Sequence, residues 1–97
     1  MKTIKSLRTD IDQIHTDIFR LIVKRIQITE KIVKIKNKEK IKFIDQKREL
    51  DLIHMFDQKT KSDTDLKKMI QKIQKTILIE NKKYLKKHTE KDIDAKI

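Results

Sequence analysis

The sequence predicts an all-α fold, and three observations carry that expectation. The chain has no glycine and no proline, so tight hairpin turns and phosphate-cradling loops lack the residues that build them. Its apolar residues recur at helical spacing, most regularly as Ile4, Leu7, Ile11, Ile14, Ile18, Leu21, Ile28, Ile32 and Ile35. Charged residues make up 42% of the 97, yet the apolar ones are patterned rather than sparse, which argues against disorder.

The first helix is expected from about Lys2 to Asn37. At 1.5 Å per residue it would be roughly 50 Å long, whereas a compact domain of this size has a radius of gyration of about 13 Å. Its seam needs cover from another chain, which predicts an obligate homodimeric helical bundle of three-helix protomers. Residues 37–45 break the spacing and form the first connection. Asp45 is the expected N-cap of a second, short helix, about Gln46 to Asp57, with Glu49 early in it and Leu52, Ile53 and Phe56 turned inward. Residues 58–61 read as a polar connection. Ser62 with Asp65 resembles a capping box opening a third helix that runs to about Lys87, with Leu66, Ile70, Ile73, Ile77 and Tyr84 on one stripe. The charged segment 89–97 is expected to fray. The whole, residues 1–97, reads as one domain without an internal repeat.

Composition narrows the function. A net charge of +11 favours anionic partners. With no cysteine there are no disulfides and no thiolate metal sites. No apolar run approaches the roughly 20 residues that span a bilayer. The stretch Met1-Lys2-Thr3-Ile4-Lys5 lacks the apolar region of a secretion signal, so a cytoplasmic protein without membrane partners is expected. His15, His54 and His88 sit in different segments. The pairs His54/Asp57 and His88/Asp92 each fall short of the three protein ligands of a catalytic zinc, so no metal is expected.

The seam of the first helix has one member that is not apolar, Arg25. Lys36, eleven residues on, falls on nearly the same face. A single cation in a heptad seam often serves only to fix register or oligomer state. A buried charge that lacks its partner costs about 3–5 kcal/mol, however. Arg25 therefore calls for an anion, supplied either by a carboxylate of the protein or by a ligand. The third helix carries Thr76 and Glu80 four residues apart on one side. Alone, each reads as a boundary residue. Together with Arg25 and Lys36 they offer a convergent polar cluster in a bundle interior. Arg8 is rotated by about 100° from Arg25. It is either a solvated surface residue or one that reaches the pocket of a second subunit.

The run Leu7-Arg8, Ile11-Asp12, Ile14, Ile18, Leu21-Ile22, Arg25, Lys36 and Asp45-x-x-Arg48-Glu49 resembles the all-helical (type II) chorismate mutases in order and near spacing. The likeness is close over residues 4–56 and looser in the third helix. It implies an intertwined dimer with two equivalent pockets that turns the dianion chorismate into prephenate, toward Phe and Tyr, with no cofactor. By the same likeness, Arg25 and Arg8 of the partner subunit would grip substrate carboxylates, with Arg48 alongside. Lys36 would contact the ether oxygen of the breaking bond. Glu49, with the backbone near Asp45, would hold the ring hydroxyl. Thr76 and Glu80 would take the places of a small hydroxyl residue and of a Gln or Glu. The sequence departs from the pattern at His15, where many members are acidic, in a connection at 37–45 without Pro or Gly, and in the less common Glu80. To donate to the ether oxygen, Glu80 must carry a proton, so activity should fall as the pH rises.

Three other readings stand beside this one. An isochorismate pyruvate lyase of the same fold would use a similar cationic pocket. A basic helical dimer that binds nucleic acid would explain the charge, but one Tyr and three Phe give little stacking surface. A purely structural coiled coil would explain the first helix but not Arg48-Glu49 or Thr76/Glu80. The leading reading excludes a nucleic-acid partner.

Overall fold

The structure, a computed structural model, describes residues 2–42 and 45–88. Among these the chain forms three helices and no strands: α1 (Ile4–Glu39), α2 (Gln46–Ile53) and α3 (Thr64–His88). The all-α expectation holds. The tail 89–97, with Asp92, and residues 43–44 of the first connection lie outside the described residues.

The start of α1 falls at Ile4 rather than Lys2, because Thr3 and Ser6 form a reciprocal cap. The Ser6 N–H donates to Thr3 Oγ1 (3.1 Å) and the Thr3 N–H to Ser6 Oγ (3.0 Å). The helix ends two residues beyond the expected Asn37, in a Schellman arrangement. The Ile41 N–H donates to the Lys36 carbonyl at 2.8 Å and the Lys40 N–H to the Asn37 carbonyl at 3.3 Å. Lys40 stands at the left-handed position, with φ of 57°. Glycine usually fills that position, and this chain has none.

By its internal contacts the chain divides into two units, Met1–Ile32 and Val33–Ile97. The first is a stretch of α1 alone. Every member of the apolar series within it, from Ile4 to Ile32, is at least 44% exposed. A lone amphipathic helix has nothing of its own to pack that face against.

The second unit holds the core. Val33, near the end of α1, and Leu85 on α3 are 2% and 1% exposed. Within this unit α2 packs on α3. Asp45 caps α2 as expected, its Oδ1 accepting the Arg48 N–H at 3.0 Å. The helix stops at Ile53, short of the expected Asp57, and residues 54–62 run on as turns. Thr60 is what turns the chain there. Buried, it donates both its Oγ1 (2.9 Å) and its N–H (3.1 Å) to the Phe56 carbonyl, while its own carbonyl accepts the Asp63 N–H.

The expected Ser62 cap is displaced by one residue. Asp63 Oδ1 accepts the Leu66 N–H at 2.9 Å and opens α3 at Thr64. A carboxylate caps as well as a hydroxyl and adds charge favourable to the helix N-terminus.

The inward stripe of α3 also differs from expectation. Leu66, Ile73 and Tyr84 are exposed, whereas Ile70, Gln71, Gln74, Ile77, Leu78 and Asn81 are half-buried and lead to Leu85. The glutamines, which apolar spacing does not reveal, face inward because α2 and its turn offer them acceptors. Gln74 Nε2 donates to the Leu52 carbonyl (3.1 Å) and Gln71 Nε2 to Asp57 Oδ1 (3.0 Å). The Gln71 hydrogen bond is the largest influence holding the Asp57 carboxyl below its ordinary value. Partial burial opposes it, and His54, 2.8 Å away, adds to it. The pair His54/Asp57 is thus a tie between the turn and α3.

A left-handed backbone costs a residue with a Cβ about 1–2 kcal/mol. Lys40→Gly should therefore raise the unfolding free energy by about 1 kcal/mol, less whatever glycine adds to unfolded-chain entropy. Denaturant titration of the two proteins checks this.

Candidate active site

Two of the expected site residues, Arg25 and Lys36, lie on the one continuous helix α1, about 20° apart in projection. From Arg25 to its end, α1 has Arg25, Ile26, Thr29, Glu30, Lys36 and Asn37 half-buried and Val33 buried. Thr29 Oγ1 donates back to the carbonyls of Arg25 (3.0 Å) and Ile26 (2.9 Å), which holds its hydroxyl against the backbone. Lys36 sits three residues before the helix end, so the Schellman closure fixes its last turn. Arg8, on the same helix, is exposed.

In the second unit, the first turn of α2 brings Asp45, Arg48 and Glu49 together. Its geometry follows from the cap. The Asp45 carboxylate is engaged by the Arg48 N–H, and the Asp45 carbonyl accepts the Glu49 N–H at 3.0 Å. Arg48 is exposed. Glu49 is half-buried and forms an ion pair with Lys82 of α3.

Thr76 and Glu80, the remaining expected residues, are on α3. Both are exposed. Thr76 Oγ1 donates to the Lys72 carbonyl at 2.9 Å, and Glu80 lies 3.5 Å from Lys83. Glu80 precedes Lys82 by two residues, about 200° around α3. With Lys82 turned toward α2, Glu80 is turned away from it.

Three polar residues on inward faces escaped the sequence reading. Lys82 and Asn81 lie on the packed stripe of α3, with Asn81 Oδ1 shielded from solvent. Asn37, next to Lys36, has a shielded Nδ2 with no hydrogen-bond acceptor among the described residues. Neither apolar spacing nor charge in the seam of α1 distinguishes them. The one available signal was that Gln74 and, two turns on, Asn81 and Lys82 border Ile77, Leu78 and Leu85, a polar edge along an apolar stripe. Among the described residues no three His, Cys, Asp or Glu side chains gather as a cation site. No helix there is long and apolar enough to cross a membrane.

The cap makes a separate prediction. Asp45→Ala should destabilise the protein by about 1 kcal/mol, and Asp45→Asn by only a few tenths. Thermal unfolding followed by circular dichroism distinguishes them.

A family model described as chorismate mutase type II matches residues 7–86. No curated protein and no solved structure matches the chain.

Proposed function

The chain belongs to the type II chorismate mutase family, and from that premise we propose that it rearranges chorismate to prephenate, in the branch toward Phe and Tyr. The family match over residues 7–86, which takes in Arg8, Arg25, Lys36, Asp45, Arg48, Glu49, Thr76 and Glu80, carries the proposal. The functional unit is a homodimer of the whole helical chain. The exposed apolar series of α1 supports this, because a second copy offers the matching face. No metal, no cofactor and no nucleic acid takes part, and the cytoplasm, where this family usually works, is the proposed site of action.

The reaction is a unimolecular pericyclic shift, in which no proton moves and no nucleophile is needed. The protein contributes restraint and charge. Arg25, Arg48 and Arg8 of the partner subunit bind the two carboxylates of the substrate, for which a planar guanidinium fork is suited. They hold the flexible dianion in its compact reactive conformer. Lys36 places a compact positive charge at the ether oxygen, where negative charge grows as the bond breaks. Glu49 accepts the ring hydroxyl, and the backbone near Asp45 assists.

The α3 donor to the ether oxygen has two candidates. Glu80, with Thr76 one turn before it, is the first, and it must be protonated to donate. Asn81 is the second. It is favoured by its half-buried place on the inward stripe, and its amide donates at any pH.

Two measurements test this reading. Loss of chorismate absorbance should be catalysed by the purified protein, and Arg25→Ala should lower kcat/KM by about 10²–10³-fold. Turnover of isochorismate with release of pyruvate instead would assign the lyase reaction. The pH–rate profile separates the α3 donors. With Glu80 as donor, activity falls as pH rises and Glu80→Gln removes the fall. With Asn81 as donor, the alkaline limb is flat and Asn81→Ala alone lowers kcat by a similar factor.

A further inference from the structure

We propose that Lys82 is a positioning residue that holds the Glu49 carboxylate ready for the substrate's ring hydroxyl, an inference that rests on the site described above. The observation behind it is the ion pair between α3 and the first turn of α2, where Lys82 Nζ meets Glu49 Oε1.

The two ends of α2 are held differently. At eight residues it is too short to be stable alone. Its C-terminal end is tied to α3 through Gln74 and the Leu52 carbonyl, and the turn beyond it through Gln71 and Asp57. At the N-terminal end, which carries the expected site residues, Lys82 makes the tie to α3. The side chains of Lys82 and Glu49 are 37% and 25% exposed. Water screens a pair at that depth, so it is a weak staple for the fold as a whole. Its consequence is local and geometric, fixing one rotamer of one carboxylate.

Two physical effects follow at the site. A carboxylate has two oxygens, and with Oε1 engaged by the ammonium, Oε2 is presented in a set direction to a second donor. An unaccompanied glutamate would also repel a dianion. Lys82 offsets that charge locally, so the hydroxyl gains an acceptor while the carboxylates of the substrate meet no net negative field from Glu49. Arginine at position 82 would preserve both effects, and methionine, of similar stem length, would preserve neither.

The test compares the purified full-length protein with Lys82→Met, Lys82→Arg, Glu49→Gln and the double variant Lys82→Met/Glu49→Gln, using chorismate as substrate and circular dichroism as a folding control. Lys82→Met should raise KM about tenfold with kcat little changed, the loss expected for one misdirected charged hydrogen bond. Lys82→Arg should restore KM. In the Glu49→Gln background, Lys82→Met should add nothing, because the two residues act as one unit. An unaltered KM in Lys82→Met overturns the proposal, as does a full additional loss in the double variant. A Lys82→Met protein without helical signal overturns it too, since the pair would then be a fold staple. If the wild type itself leaves chorismate untouched, the functional reading falls and takes this inference with it. Turnover by the wild type with an indifferent Lys82→Met removes this inference alone.

Discussion

A helix of 36 residues cannot bury its own apolar face. Everything else about this protein follows from where that face finds cover. In the second unit Val33 meets Leu85, and a small core forms around them. Over the preceding residues the series from Ile4 to Ile32 faces outward. Residues of that size do not stay exposed along many turns without consequence, since each would gain about 1.5–3 kcal/mol on full burial. Association with a second copy turns this surplus into the binding energy of the proposed dimer. In such a dimer folding and assembly would be one equilibrium.

On the proposed reading the same helix carries the chemistry. Arg25 interrupts the apolar series, and Lys36 repeats the interruption on nearly the same face. In a bundle such groups are expensive unless an anion meets them. The proposed substrate, a dianion, is an anion of suitable charge. On this reading the cations that weaken the bundle are those that give the reaction its electrostatic help. The short helix α2 serves the same end by other means. Its cap aligns Asp45, Arg48 and Glu49 on one turn, and the glutamines of α3 hold it in place.

The legible parts of the fold were those set by local chemistry. The 3-4 spacing marked α1, and Asp45 with Glu49 early in the following helix marked the start of α2. The illegible parts were set by tertiary hydrogen bonds. Nothing in Gln58-Lys59-Thr60-Lys61 distinguishes Thr60 as the buried hydroxyl that turns the chain between α2 and α3. Gln71 and Gln74 face inward only because carbonyl and carboxylate oxygens on and beyond α2 await them. Following leucines and isoleucines alone rotated the expected stripe of α3 and drew attention to Thr76 and Glu80 rather than to Asn81 and Lys82. Arg25 and Lys36 of α1 drew notice in the sequence because charge in an apolar series is conspicuous in one dimension.

The close of α1 has a wider consequence. A helix that ends on glycine stops because the next residue is poorly suited to continue it. Here the stop is Lys40, a good helix former held in a left-handed conformation by two backbone hydrogen bonds. The balance between stopping and elongating is correspondingly even. Solvents that favour helices, such as trifluoroethanol, would draw residues 40–42 into α1 at little expense. The reach of the longest helix is thus a soft coordinate of this molecule, and the turn that carries Lys36 sits at its edge.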